Sequence, residues 1–271
     1  MASPVAPTGS GTGGGIWGGW LSARSVRAVE KLVYVLWGDG SPEQGDGLRE
    51  RLLKEVAPSL FAAGARALTV DVHDAEAAKA PPPMPAPDGE ETIAALVSVW
   101  IDAYDRRAPF EVAIAALGHQ FAGYLVVESV YDDYGTTQWS GPRDWPDGDR
   151  SPGVLTVALI HRPVGVGYPD WIKRWHGTQS PLSAELQPRT RYVRNEVVRA
   201  VTDGAPEVHG IVEEAWASAE TVADPMLFFN SGGDQDVMQA NIEKMLESVN
   251  ACLDLSRFRT ASMSEYLVRS V

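Results

Sequence analysis

Short β-rich runs of alternating hydrophobic and polar residues recur along the chain, separated by longer stretches with a helical period. Residues 31–37 (Lys-Leu-Val-Tyr-Val-Leu-Trp) form the first run and close on the turn signal Gly38-Asp39-Gly40. Leu48, Leu52, Leu53, Val56 and Leu60 then fall at helical spacing, which predicts a helix over 48–63. Strand patterning returns at 66–73 and at 92–104, and a helix over 108–117 leads into a strand over 120–131. The order is β-α-β-β-α-β. The second half repeats it, with a strand at 154–162, a helix at 168–176 and strands at 190–201 and 208–218 around the turn Asp203-Gly204-Ala205-Pro206. A helix over 236–253 follows, with Met238, Asn241, Ile242, Met245, Leu246 and Val249 on one side, and a strand over 259–268 ends the series. One six-element order met twice predicts an α+β fold of two four-stranded antiparallel sheets, each with helices on one face. The uncovered sheet faces must bury each other, so a barrel-like pair within one chain is expected.

The punctuation of the chain sets the expected boundaries. Residues 1–28 read as a flexible arm, since 1–19 are rich in Gly, Ser, Pro and Thr. The run Gly11-Thr12-Gly13-Gly14-Gly15 lacks the Gly-Lys-Ser/Thr ending of a phosphate loop and follows no strand. Trp17 and Trp20 are unusual in a free tail and are candidates to dock the arm on the body or on a partner. The first repeat spans 29–134, a linker 135–153, and the second repeat 154–271. Within the first repeat, 80–87 (Ala-Pro-Pro-Pro-Met-Pro-Ala-Pro) is too proline-dense for helix or central strand and reads as a stiff extended loop.

Composition narrows the chemistry. The 271 residues include 44% hydrophobic and 22% charged residues, an ordinary balance for a chain with a sizeable core. No apolar run is long enough for a membrane-spanning helix. A formal charge of −13 argues against phosphate-based nucleic-acid binding. The single cysteine, Cys252, excludes an internal disulfide and a Cys-rich metal site, and a cytoplasmic setting is the simplest expectation. The five histidines (His73, His119, His161, His176, His209) show no close ligand spacing, so no metal is expected. No Gly-x-Ser-x-Gly occurs, and Ser231-Gly232-Gly233-Asp234 reads as a turn and N-cap into the helix over 236–253.

The candidate chemistry gathers in the second half. Tyr168, Trp171, Ile172, Trp175 and His176 share one helical stripe, while Asp170, Lys173 and Arg174 point the other way. An aromatic stripe is ordinarily core; a histidine at its end, just before Gly177, makes it a candidate cavity wall with an imidazole at the edge. On the next strand Tyr192, Arg194, Glu196 and Val198 share one face, and Arg191, Val193, Asn195 and Val197 the other. Further on, Ile211 and Glu213 lie on one face, with Val212, Glu214 and Trp216 opposite. A carboxylate on an apolar strand face is costly unless paired. Glu213 is thus a candidate to orient His176 or to take a proton, with a plain salt bridge to an arginine the alternative. His161, beside Leu155, Val157 and Leu159 on its strand, is a further candidate.

Three segments of this half resemble the EthD family of the dimeric α+β barrel superfamily. They are Trp175-His-Gly-Thr-Gln-Ser-Pro-Leu182, Arg191-Tyr-Val-Arg-Asn195, and Gly210-Ile-Val-Glu213 followed by Trp216. The resemblance implies compact ferredoxin-like units that pair through their sheets, here as a tandem pseudo-dimer whose degenerate first half has no histidine on its helix. Such proteins are often described as oxidoreductase-like. Related barrels act as cofactor-free polyketide cyclases, decarboxylases, dehydratases, monooxygenases and isomerases, and some hold haem.

The first functional expectation is a cofactor-independent enzyme, a lyase, isomerase or oxidoreductase, acting on a small apolar, aromatic or polyketide-like molecule. His176 would move the proton, Tyr192 would hydrogen-bond a carbonyl or enolate oxygen, and Glu213 would hold the imidazole. Trp171, Trp175 and Trp216 would wall the site, with His161 and Asn195 at its margin. The alternative is a non-catalytic hydrophobic-ligand-binding or accessory protein of an oxidoreductase system. A haem oxidase is third, with His161 or His176 as axial ligand. No nucleic acid or membrane partner is expected, and a homodimer of tandem pairs stays open.

Overall fold

The computed structural model describes residues 29–84 and 91–270. The expected arm with Trp17 and Trp20, and residues 85–87 of the proline loop, lie outside them. Eight strands form one closed barrel: β1 (Glu30–Gly38), β2 (Ala67–Val72), β3 (Thr92–Ile101), β4 (Phe121–Asp132), β5 (Val154–Ile160), β6 (Arg189–Ala200), β7 (Gly210–Trp216) and β8 (Arg259–Arg269). Each sits within a few residues of the strand its alternation predicts.

All neighbouring strands pair antiparallel, in the ring order β1-β3-β2-β8-β5-β7-β6-β4. The first four strands run β4-β1-β3-β2 and the last four β8-β5-β7-β6, the same order by position within each half. Two seams, β2–β8 and β4–β6, join the halves. Closure leaves the sheet without an edge strand, which removes the usual template for aggregation.

Alternation along each strand divides the core in two. Leu32, Tyr34, Leu68, Val70, Val97 and Val99 face outward beneath the first half's helices, α1 (Pro42–Arg51), α2 (Ala57–Ala62) and α3 (Ala108–Ala115). Leu48, Leu52, Val56 and Leu60 fill that layer from the helix side. Helix α1 comes so close to β2 that a Cβ at Gly45 would stand 1.8 Å from the His73 carbonyl oxygen. The intervening positions, among them Val33, Val35, Leu96, Val157, Ile211 and Met263, fill the lumen.

In the second half the helices are α4 (Tyr168–Arg174), α5 (Ser180–Leu186), α6 (Ala219–Ala223), α7 (Pro225–Phe228) and α8 (Gln235–Cys252). Asp234 caps α8 through hydrogen bonds from the backbone N–H groups of Asp236 and Val237, as its position predicts. One device recurs in both halves. A π-helical turn, Leu52–Val56 or Trp175–Gln179, precedes a proline, Pro58 or Pro181. Proline lacks an N–H and its ring clashes with the carbonyl four residues back, so the ladder widens by one residue to accommodate it. Trp175 and His176 sit on that widened turn.

Candidate functional site

A cavity of about 200 Å³ lies between the outer face of the second half's strands and its helices. Ala158, Ile160 and Val212 form its floor, Trp175 one wall, and Met245, Leu246 and Val249 of α8 the roof. In the first half Leu48, Leu52 and Leu60 pack into the layer between helices and sheet. Trp175 approaches β7 so closely that a Cβ at Gly210 would stand 2.7 Å from the edge of its ring, so a larger residue there must displace the indole. Trp171 packs behind Trp175 at 5.0 Å between ring centroids and donates its indole N–H to the Cys252 carbonyl at 2.9 Å.

A polar row crosses this apolar floor. Glu214 on β7 stands directly opposite Thr156 on β5 and Tyr192 on β6, and all three line the cavity. Directly opposed side chains on one face stand about 5 Å apart at Cβ. The Arg189 guanidinium lies 2.8 Å from Glu214 and 4.0 Å above the Tyr192 ring. The Tyr192 hydroxyl accepts a hydrogen bond from Trp175 Nε1 at 3.3 Å and lies 3.3 Å from Ser180 Oγ, which Arg194 also reaches at 3.1 Å. Burial, with the nearby Glu214 charge, raises the phenol above its ordinary value and keeps it a hydrogen-bond donor. Gln179 offers a second polar contact: its amide nitrogen meets Met245 Sδ, and its buried oxygen has no partner among the described residues.

The structure separates residues that the sequence reading grouped. Trp175 and Tyr192 do line the cavity. Trp216 lies beside it, donating to Thr156 Oγ1 at 2.9 Å and stacking on Phe228 at 4.7 Å. His176 is not among the lining residues. Its ring stands edge-on to Trp175 at 4.6 Å, and burial together with the Arg194 charge lowers its pKa to about 4, so the imidazole is neutral at pH 7.

Glu213 cannot hold that ring. It points into the lumen, accepting from Asn195 Nδ2 at 2.7 Å and pairing with Lys31 at 3.4 Å. Burial acts to raise its pKa, but Lys31 and Arg191 outweigh that and hold it below the usual value. Asn195 shares the lumen with it, away from the cavity. His161 is remote as well, with Nε2 2.7 Å from the Glu207 carbonyl oxygen and a pKa lowered by burial. The residue that sequence reasoning passed over is Glu214, already placed on the face opposite Glu213 by simple alternation.

Haem needs an axial imidazole, thiolate, thioether or phenolate. No histidine or cysteine lines the cavity, Met245 Sδ accepts from the Gln179 amide, and burial keeps the Tyr192 phenol protonated. Cys252 is buried, its thiol pushed up to about 12 by desolvation. This donor set does not suit haem. Among the described residues no His/Cys/Asp/Glu group is arranged to hold a metal ion, and no helix is long and apolar enough to cross a membrane.

No protein-family model matches the sequence, and no curated protein matches it. Solved structures do. An anthrone oxidase-like protein is 13% identical with a TM-score of 0.49, over 89% of this chain and 94% of that one. A protein described as a monooxygenase from Lactobacillus acidophilus is 9% identical with a TM-score of 0.43, over 90% and 98%. A substituted chlorite dismutase from Candidatus Nitrospira defluvii is 8% identical with a TM-score of 0.45, over 88% and 92%.

Proposed function

We propose that the protein is an enzyme that moves a proton on a small, largely apolar molecule held in this cavity, without a bound cofactor. The Thr156–Glu214–Tyr192 row on an apolar floor carries the reading. A carboxylate beside a phenol that stays protonated is the pair needed to enolise a ketone. Glu214 takes the proton from the carbon next to the carbonyl, the electron pair moves onto the carbonyl oxygen, and Tyr192 donates a hydrogen bond to the oxyanion. The walls exclude water and strengthen both interactions. An engineered cavity of about 150 Å³ holds benzene, so the volume here suits a one- or two-ring molecule.

The ion pair between Arg189 and Glu214 supports a second reading, in which the carboxylate is structural and the cavity only holds its ligand. The probe 2-tetralone, a two-ring ketone with acidic benzylic hydrogens, separates the two. We expect hydrogen–deuterium exchange at its benzylic carbon above the buffer rate, reduced about 100-fold by Glu214→Gln and by Tyr192→Phe. Binding with exchange at the buffer rate would leave only the holding role.

The finer classification is part of the same proposal. The matching strand orders and the paired π-turns support a tandem repeat of ferredoxin-like units, 29–134 and 154–271 joined by 135–153, in a dimeric α+β barrel. Gly210 beneath Trp175 gives the EthD-like glycine a packing role. The EthD-like histidine has no catalytic part in this reading.

A further inference from the structure

The polar groups around the helix-side cavity are not equally satisfied. Its aliphatic hydroxyls are occupied within the protein. Thr156 Oγ1 accepts from Trp216 Nε1 at 2.9 Å, Ser183 Oγ donates to the Ser180 carbonyl at 3.1 Å, and Thr260 Oγ1 donates to the Met84 carbonyl at 2.7 Å. The Glu214 charge is balanced by Arg189 at 2.8 Å. Gln179 keeps an open valence: its side-chain oxygen is buried and accepts no hydrogen bond among the described residues.

The surroundings fix which end of that amide is open. Gln179 closes the π-helical turn Trp175–Gln179 and reaches across to α8, where its amide nitrogen donates to Met245 Sδ at 3.1 Å. A thioether sulfur has lone pairs and no proton, so it accepts from an N–H and repels a carbonyl oxygen. Both Gln179 and Met245 line the cavity. A buried acceptor without a donor is costly, so the site favours a ligand that brings an O–H or N–H to it.

That donor has to be neutral. Arg189 already balances Glu214, floor and roof are apolar, and an ammonium would lose its hydration with no free carboxylate to replace it. A hydroxyl on an aromatic ring suits the walls, because Trp175, Phe228 and Phe258 all line the cavity. The acidity of a phenol also makes it a stronger donor than an alcohol.

We propose that Gln179 selects the ligand of this cavity, a small aromatic ketone carrying a phenolic hydroxyl whose O–H donates to Gln179 Oε1. The ketone rests on the proton-transfer reading above; the hydroxyl rests on Gln179 alone.

Isothermal titration of the full chain tests it with 2-tetralone, its ring-hydroxylated isomers and their methyl ethers, which keep the oxygen and lose the proton. At least one hydroxylated isomer is expected to bind about tenfold tighter than both 2-tetralone and its own ether, the usual effect of one buried hydrogen bond. Gln179→Met, an apolar chain of nearly the same length, should bring that isomer, its ether and 2-tetralone within about twofold of one another. Melting curves would confirm that the variant folds. Hydroxylated isomers that bind no tighter than their ethers, a preference that survives Gln179→Met, or no binding by any member of the series would overturn the proposal. Binding is read apart from exchange, so the two conclusions can fail separately. A donor preference without hydrogen–deuterium exchange removes the proton transfer and keeps the role of Gln179; exchange without a donor preference does the reverse.

Discussion

Asp71 carries its carboxyl group into the lumen, fully buried and without a hydrogen-bond partner among the described residues, directly across from Glu265. Burial first, then the charges of Glu213 and Glu265, raises its pKa well above the ordinary value. The unfolded chain gives up that proton near pH 4, whereas the folded protein keeps it. This group therefore favours folding most below pH 4, and its contribution falls as the pH rises toward the folded value. Asp71→Asn is expected to gain stability over the parent as the pH is raised from 4 to 8, in denaturant titrations at each pH. A pH-independent difference would refute the assignment. His176 works in the opposite sense: its lowered pKa gives stability that is full above about pH 6.5 and lost as the pH falls toward 4. Its imidazole should titrate near pH 4 by NMR, and His176→Phe should flatten the acid limb of the stability curve. Alternation alone separates Glu213 from Glu214, and a shift of one residue turns a side chain to the other face. The sequence reading placed the two glutamates on opposite faces and took Glu213 as the candidate because it interrupts an apolar face; the structure turns Glu213 into the lumen and Glu214 into the helix-side cavity. The lumen charges had a readable signal: Lys31, Asp71 and Glu265 interrupt β-rich runs at alternate positions, where only a polar interior tolerates them.

At the level of elements, every strand was visible as a β-rich run between turn signals, although strands such as β2 and β5 bury both faces, and the long helix α8 was visible in its period. The short helices α5, α6 and α7 were not, since four to seven residues are too few to define a period. The π-turns escaped as well; Pro58 and Pro181 mark them, but a proline inside a helical pattern reads equally as a helix start. The cavity exists because α5 and α8 stand off the sheet while Trp175 lies on it. Gly210→Ala tests that arrangement. Its Cβ would meet Trp175 at 2.7 Å and Ile160 at 2.9 Å, so overpacking should cost about 1–3 kcal/mol and displace the indole. Unfolding curves would register the loss, and near-ultraviolet circular dichroism the moved tryptophan. Retained stability and an unchanged spectrum would show that the contact relaxes freely.

For the whole molecule, the polar layer ties the halves together. Lys31 of β1 reaches Glu128 of β4 and Glu213 of β7, and Arg191 of β6 reaches Glu265 of β8, so the network crosses between halves. Lys31→Met would leave both glutamates without that cation, and breaking such a buried pair costs about 3–5 kcal/mol. Heat or urea should unfold the parent in a single transition, with tryptophan fluorescence and far-ultraviolet circular dichroism superimposed, because neither half can leave without opening both seams. Two separated transitions would show that the seams are weak. The ring also closes within one polypeptide, with consequences for inheritance. In a barrel assembled from identical subunits, every substitution is duplicated across the axis, so a change that hollows one helix layer hollows both. Here each substitution occurs once, and one layer can stay solid as ballast while the other opens into a chamber.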